Sequence, residues 1–192
     1  NYEKRLQYPV KITKTNPKIA QIILTQYGGP DGELGASMRY LSQRYTMPYK
    51  EVTGTLTDIG TEELAHVEII SSMIYQLTDG ATPEELKAAG MDTNYAQFGH
   101  GIQPTDSNGV PFTTAYINVF SDPVTDLHEN MAAEQKARTT YDNILALSKN
   151  EDVNKVIRFL REREIVHYQR FAEGLEYVKS QLNKKNYYAY NP

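Results

Sequence analysis

Glu63-Leu64-Ala65-His66 and Glu164-Ile165-Val166-His167 are two copies of one four-residue pattern, each near the middle of a stretch that reads as a long helix. Residues three apart share a helix face, so each copy offers a carboxylate and an imidazole side by side. With 15 glutamates and 4 histidines in 192 residues, random placement would give about 0.3 such pairs. The surroundings repeat as well. Glu33 precedes Glu63 by 30 residues, and Glu134 precedes Glu164 by 30. The two halves match at an offset of 101, which also carries Tyr40 onto Tyr141. Each tyrosine follows its glutamate by seven residues, about two helical turns along one face.

Working outward, Asn16-Pro17 is a strong helix start, because Asn caps orphan amides and Pro is tolerated at the first helical position. Ile19, Ile22, Ile23, Leu34, Met38 and Leu41 keep helical spacing around a Gly28-Gly29-Pro30 break, which predicts a kinked or divided helix over 17–45. A second helix is expected from Pro48 to about Thr78, stopped by Gly80. Thr82-Pro83-Glu84-Glu85 has the form of a capping box and predicts a short helix over 83–89, outside the bundle. From Met91 to Ser121 the glycines and prolines predict a long irregular connection with a short extended piece near Phe112 to Val119. Two further helices are expected, from Asp122-Pro123 to about Lys149 and from about Glu151 to Leu182, joined by a residue or two.

Helical hairpin, long connection, helical hairpin predicts an all-α fold: a ferritin-like four-helix bundle with one long crossover connection and a short extra helix. The expected organisation is an extended arm over 1–15, the bundle over 16–182 and a tyrosine-rich tail over 183–192 that includes Tyr187, Tyr188 and Tyr190.

Four inward carboxylates and two imidazoles suit a pair of divalent ions, since bridging carboxylates both neutralise the ions and fix their separation. Left without metal, each unpaired buried acid would cost several kcal/mol. The candidate ligands are therefore Glu33, Glu63, His66, Glu134, Glu164 and His167. Spacing alone allows Glu164 as a second bridge and does not choose between manganese and iron. Tyr40 and Tyr141 are expected to hydrogen-bond Glu33 and Glu134 from behind, against the plainer reading of core residues with a satisfied hydroxyl. His100 reads as a loop residue and His128 as a helix-surface or interface residue. In Arg161-Glu162-Arg163-Glu164 only the last member is expected to turn inward.

Composition narrows the remaining classes. There is no cysteine, so disulfides, thiolate metal sites and thiol catalysis are excluded. Net charge is −4, pI is near 5.6 and the 20 basic residues are scattered, which gives no footprint for nucleic acid. The apolar runs are too short to span a membrane and the first residues lack a signal-peptide core, so a soluble chain synthesised in the cytoplasm is expected. Fifteen tyrosines occur with no tryptophan.

The runs Gly28-Gly29-Pro30-Asp31-Gly32-Glu33, Tyr40-Leu41, Thr57 to Glu68, Ala132-Ala133-Glu134 and Arg161 to His167, with the opening Tyr2 to Val10, resemble the manganese-catalase family, in particular its spore-coat branch. The resemblance implies two manganese ions per chain, bridged by Glu63. Glu33 and His66 would complete one ion, Glu134 and His167 the other, with Glu164 as an outer-sphere base. It also implies disproportionation of hydrogen peroxide, a homo-oligomer of hexamer type, location in the spore coat and other coat proteins as partners. Where some family members carry a basic residue this chain has Ala133, and it lacks the long C-terminal extension of the larger catalases. Two other readings stand beside the enzyme: a structural coat component with a vestigial metal site, its tail tyrosines open to oxidative cross-linking, and a di-iron oxidase or peroxidase needing an external electron donor.

Overall fold

A computed structural model of the chain describes residues 5–92, 101 and 103–185, the last three without their side chains. The elements in order are α1 (Pro17–Gly28), α2 (Glu33–Gln43), α3 (Lys50–Thr78), α4 (Pro83–Ala88), a single 3₁₀ turn (Thr114–Tyr116), α5 (Pro123–Leu147) and α6 (Glu151–Lys185). Helices α2 and α3 pack as one hairpin and α5 and α6 as the other, with α1 also packed against α3. This is the ferritin-like bundle with its long crossover.

The helix starts carry the caps the sequence predicts. Asn16 Oδ1 accepts from the Ile19 amide at 3.1 Å, Asp122 Oδ1 from the Thr125 amide at 2.7 Å, and Thr82 with Glu85 completes a reciprocal box. Helix α6 continues to Lys185, past the expected end at Leu182. Residues 186–192 of the tail, with Tyr187, Tyr188 and Tyr190, and His100 in the crossover lie outside the described residues.

Two expectations change. The short helix α4 was expected outside the bundle, yet Leu86, Ala89 and Met91 are buried in the same apolar cluster as Ile70, Ile74 and Leu77 of α3. It closes one end of the core, because its apolar residues have no other cover. The extended piece near 112–119 is interrupted by a 3₁₀ turn at Thr114–Tyr116, with Thr113 and Ile117 extended on either side and Thr113 Oγ1 accepting from the Ala115 amide at 3.3 Å. The isolated antiparallel bridge nearby joins Thr105 and Pro111. Residues 114–116 have no ladder to join, so local side-chain capping decides their conformation.

Two apolar clusters flank the middle of the bundle. One gathers α1, the second half of α3 and the first half of α6 around Ile23, Ile70, Met73 and Ile157. The other gathers Tyr40, Val52, Leu56, Ile59, Leu127, Phe171 and Val178 from the opposite end. Burying each aliphatic side chain contributes about 1.5–3 kcal/mol, and together they hold a polar layer between them.

Residues 5–15 run along this body. Gln76 clips the arm through its Oε1 to the Ile12 amide (2.8 Å) and its Nε2 to the Val10 carbonyl (3.0 Å). Tyr8 stacks on Phe159 with ring centroids 4.6 Å apart.

The α1–α2 break is fixed by close approach of the crossover. A Cβ on Gly28 would lie 2.4 Å from both Pro104 C and Thr105 N, backbone atoms held there by the Gly28 N–H to Thr105 O bond of 3.2 Å. Gly28→Ala is expected to lower stability by about 1–3 kcal/mol through overpacking. Gly54→Ala, in α3 with nothing within 4 Å of its Cβ, should raise it by about 1 kcal/mol. Thermal denaturation of the two variants checks the contrast.

Candidate metal centre

The break between α1 and α2 lets a new helix begin at Glu33, where the free amides of a first turn favour a carboxylate. From there Glu33 faces Glu63 and His66 of α3, while Glu134 of α5 faces Glu164 and His167 of α6. All six side chains predicted from the repeat meet in the polar layer, none more than 2% exposed. They form two groups, Glu33, Glu63, His66 and Glu164, and Glu63, Glu134, Glu164 and His167, whose ligand atoms lie within 4.8 Å of one another. Glu63 and Glu164 belong to both groups.

Glu63 is the centre of the arrangement. Its Oε2 lies 2.7 Å from His66 Nδ1 and its Oε1 2.8 Å from His167 Nδ1. Glu33 Oε2 stands 3.6 Å from the first imidazole and Glu134 Oε2 3.5 Å from the second. Glu164 Oε1 is 3.8 Å from His66 Nδ1. The rings lie nearly parallel, their centroids 5.6 Å apart.

These approaches are close, yet both oxygens of Glu63, Glu134 Oε2, Glu164 Oε1 and Nδ1 of both histidines make no aligned hydrogen bond. Leaving a buried polar atom unsatisfied costs about 1–3 kcal/mol. Lone pairs that converge on common points without bonding one another fit a pair of divalent cations, and oxygen with imidazole nitrogen is a donor set for manganese, iron or zinc.

The outer contacts hold these side chains in place. Tyr40 donates to Glu134 Oε1 and Tyr141 to Glu33 Oε1, so each tyrosine serves the glutamate of the opposite hairpin and ties the two halves together across the site. Glu62 joins the site although the repeat does not mark it. Its carboxylate bonds His167 Nε2 at 3.0 Å and accepts from Arg163 Nε and Nη2 at 2.7 and 3.1 Å and from Gln7 Nε2 at 2.8 Å. Arg163 was expected on a solvated face and instead holds Glu62. The available signal was Glu62 at four residues before His66, with His66 Nε2 3.8 Å from Glu62 Oε1. His128 is exposed on α5, away from the cluster.

The charges in the metal-free cluster follow from this packing. Burial opposes charging His66, but Glu63 and Glu33 outweigh it and raise its pKa to about 10. His167 is pushed up to about 12, Glu63, Glu134 and Glu62 overcoming burial. Burial and the neighbouring Glu63 raise Glu33 to about 7. Burial, with Glu33, Glu63 and Glu134 around it, lifts Glu164 well above the carboxylate range. Burial would also raise Glu63, but His167 and His66 hold it well below that range.

Fold and donor set together define a dinuclear carboxylate-bundle protein, and the manganese-containing catalase family model matches residues 1–187, so the chain belongs to that family. It is 52% identical to Protein CotJC of Bacillus subtilis over 96% of this chain and 97% of that one. It is 34% identical to a probable manganese catalase of Clostridium acetobutylicum, over 93% of this chain and 79% of the relative. The crystal structure of KatB, a manganese catalase from Anabaena, superimposes with a TM-score of 0.87 at 33% identity, covering 100% of this chain and 86% of that one.

Two predictions follow from the geometry. Ligation requires neutral imidazole, and both histidines are protonated near pH 7 in the metal-free chain, so each ion must displace at least one proton. Manganese affinity should rise roughly tenfold per pH unit per ion between pH 6 and 8, as read by competitive chelator titration; a flat profile contradicts the charge assignment. Glu62→Gln, which weakens the hold on His167, should lower metal affinity by about 10–100-fold with the fold intact by circular dichroism.

Proposed function

We propose that the chain is a dimanganese catalase that disproportionates hydrogen peroxide to water and oxygen. The observation that carries the reading is Glu63, fully buried, with one carboxylate oxygen at each of two imidazoles. In this reading Glu63 would be shared by the two ions, Glu33 and His66 would hold one, and Glu134 and His167 would hold the other. When bound, a manganese pair would supply two-electron redox capacity, giving two electrons to one peroxide and taking two back from a second.

The protein's part is to place protons and hold ligands. Reducing peroxide to two waters consumes two protons and two electrons; oxidising the second returns both. Glu164 lies among Glu33, Glu63 and Glu134, where its carboxyl can serve as the outer-sphere base that takes up and returns a proton. Tyr40 and Tyr141 hold the outer oxygens of Glu134 and Glu33, leaving the inner oxygens for metal. Burial of the layer excludes bulk water from the reacting atoms.

The likeness to Protein CotJC over nearly both full lengths favours a second, compatible role. In it the chain assembles as a homo-oligomer in the spore coat with other coat proteins, and the metal layer stabilises the building block. Exposed Tyr45, Phe120 and Leu147 supply apolar surface for such contacts.

The test is oxygen evolution after adding peroxide to manganese-loaded protein with no reductant present. Wild type should release oxygen, and Glu63→Ala should release none and bind no metal pair. Glu164→Gln should keep its manganese and lose about 10²–10⁴-fold in kcat. Turnover that depends on an added reductant, or on iron, would replace the catalase with a di-iron peroxidase. Coat association with oxygen release absent would leave the structural role alone.

A further inference from the structure

Two consecutive residues of the N-terminal arm reach the two buried imidazoles from behind. Gln7 Nε2 donates to Glu62 Oε1 at 2.8 Å, and Glu62 in turn bonds His167 Nε2 at 3.0 Å and lies 3.8 Å from His66 Nε2. Tyr8 stacks on Phe159, whose ring meets His66 edge-on. Both rings turn Nδ1 to Glu63, so Glu62 approaches them from the far side. Gln7 and Arg163 Nε share Glu62 Oε1, which leaves Oε2 to Arg163 Nη2 and His167. Without Gln7 that carboxylate is held from α6 alone and can swing with the Arg163 side chain, which is 30% exposed.

The arm itself is lightly held. Among residues 5–15 only Val10 is buried. Beyond Tyr8 the segment relies on the Gln76 clip at Val10 and Ile12 and on Thr13, whose amide and hydroxyl donate to Asp152 Oδ2 at 3.3 and 3.0 Å. A segment with so little buried apolar contact opens locally at a fraction of the free energy that unfolds the bundle. A loosely held piece of chain therefore braces the two histidines at the centre of the fold.

We propose that residues 5–15 are a latch on the metal centre, in which arm docking and metal retention are coupled through Gln7 and Tyr8. With the arm seated, both rings are held in the orientation that ligation needs and lose no further freedom when an ion binds. With the arm displaced, Glu62 and Phe159 loosen and the ions leave faster. The coupling is reciprocal, so filling the site also seats the arm. Gln7 and Tyr8 are positioning residues, since they act through Glu62 and Phe159. The latch requires the metal pair but not peroxide turnover.

Limited trypsin digestion of the full chain reads the latch at Lys11 and Lys14, whose side chains are exposed. Cleavage after these lysines should be roughly tenfold slower in manganese-loaded than in metal-free protein, the usual size of a coupling between two sites. In the double variant Gln7→Ala, Tyr8→Ala that ratio should fall to about one, and manganese should pass to a chelator roughly tenfold faster, with helical content unchanged by circular dichroism. A loss of stability alone would speed cutting in both states and keep the ratio, which would count against the latch. Equal cleavage of the wild type with and without manganese, or wild-type manganese release from the double variant, overturns the proposal. Failure of the catalase reading would show instead as absent oxygen release with the manganese-dependent protection still in place.

Discussion

A carboxylate with no access to water, set between two imidazoles, is the constraint on which the rest of the chain depends. Glu63 is buried in the middle of α3, and its charge must be balanced within a few ångströms. In the metal-free chain two histidinium ions do this; divalent ions between the same atoms would do it more completely. Each of the other buried acids then needs the same answer. The two apolar clusters provide the closed container in which that balance has to be struck.

The supporting contacts are arranged so that no single helix holds a ligand alone. Tyr40 and Tyr141 cross between hairpins to reach the carboxylates opposite them, so loosening one half disturbs the other. On the histidine side Glu62 spans from α3 to His167 and Arg163 of α6, and Gln7 brings the N-terminal arm onto the same carboxylate. The arm's Tyr8 stacks on Phe159, whose ring also meets His66 edge-on at 6.4 Å. Chain that belongs to no helix thus contributes to the rigidity of the centre.

Much of this was legible in the sequence because two regularities are written along it. Caps and apolar spacing mark helices, and the offset of 101 marks six acid and histidine side chains of the buried cluster and two tyrosines on matching faces. What stayed hidden depends on contacts between segments distant in the chain. Helix α4 looks amphipathic and separate until α1 and α3 leave an open end for Leu86 to close. Within 112–119 Thr113 and Ile117 are extended, but no strand among the described residues pairs with them, and the turn at Thr114–Tyr116 is set by local capping. Arg163 sits in an alternating charge run that resembles a solvated face, and only the packing of α6 against α3 turns it onto Glu62.

The central claim is that Glu63 organises two metal ions within one chain. The most direct measurement is metal content by mass spectrometry of protein expressed with manganese and iron both available. The account predicts roughly two manganese ions per chain, as a bundle with two carboxylate and imidazole groups sharing one bridge requires. A single ion per chain, no metal, or iron taken in preference to manganese would contradict it.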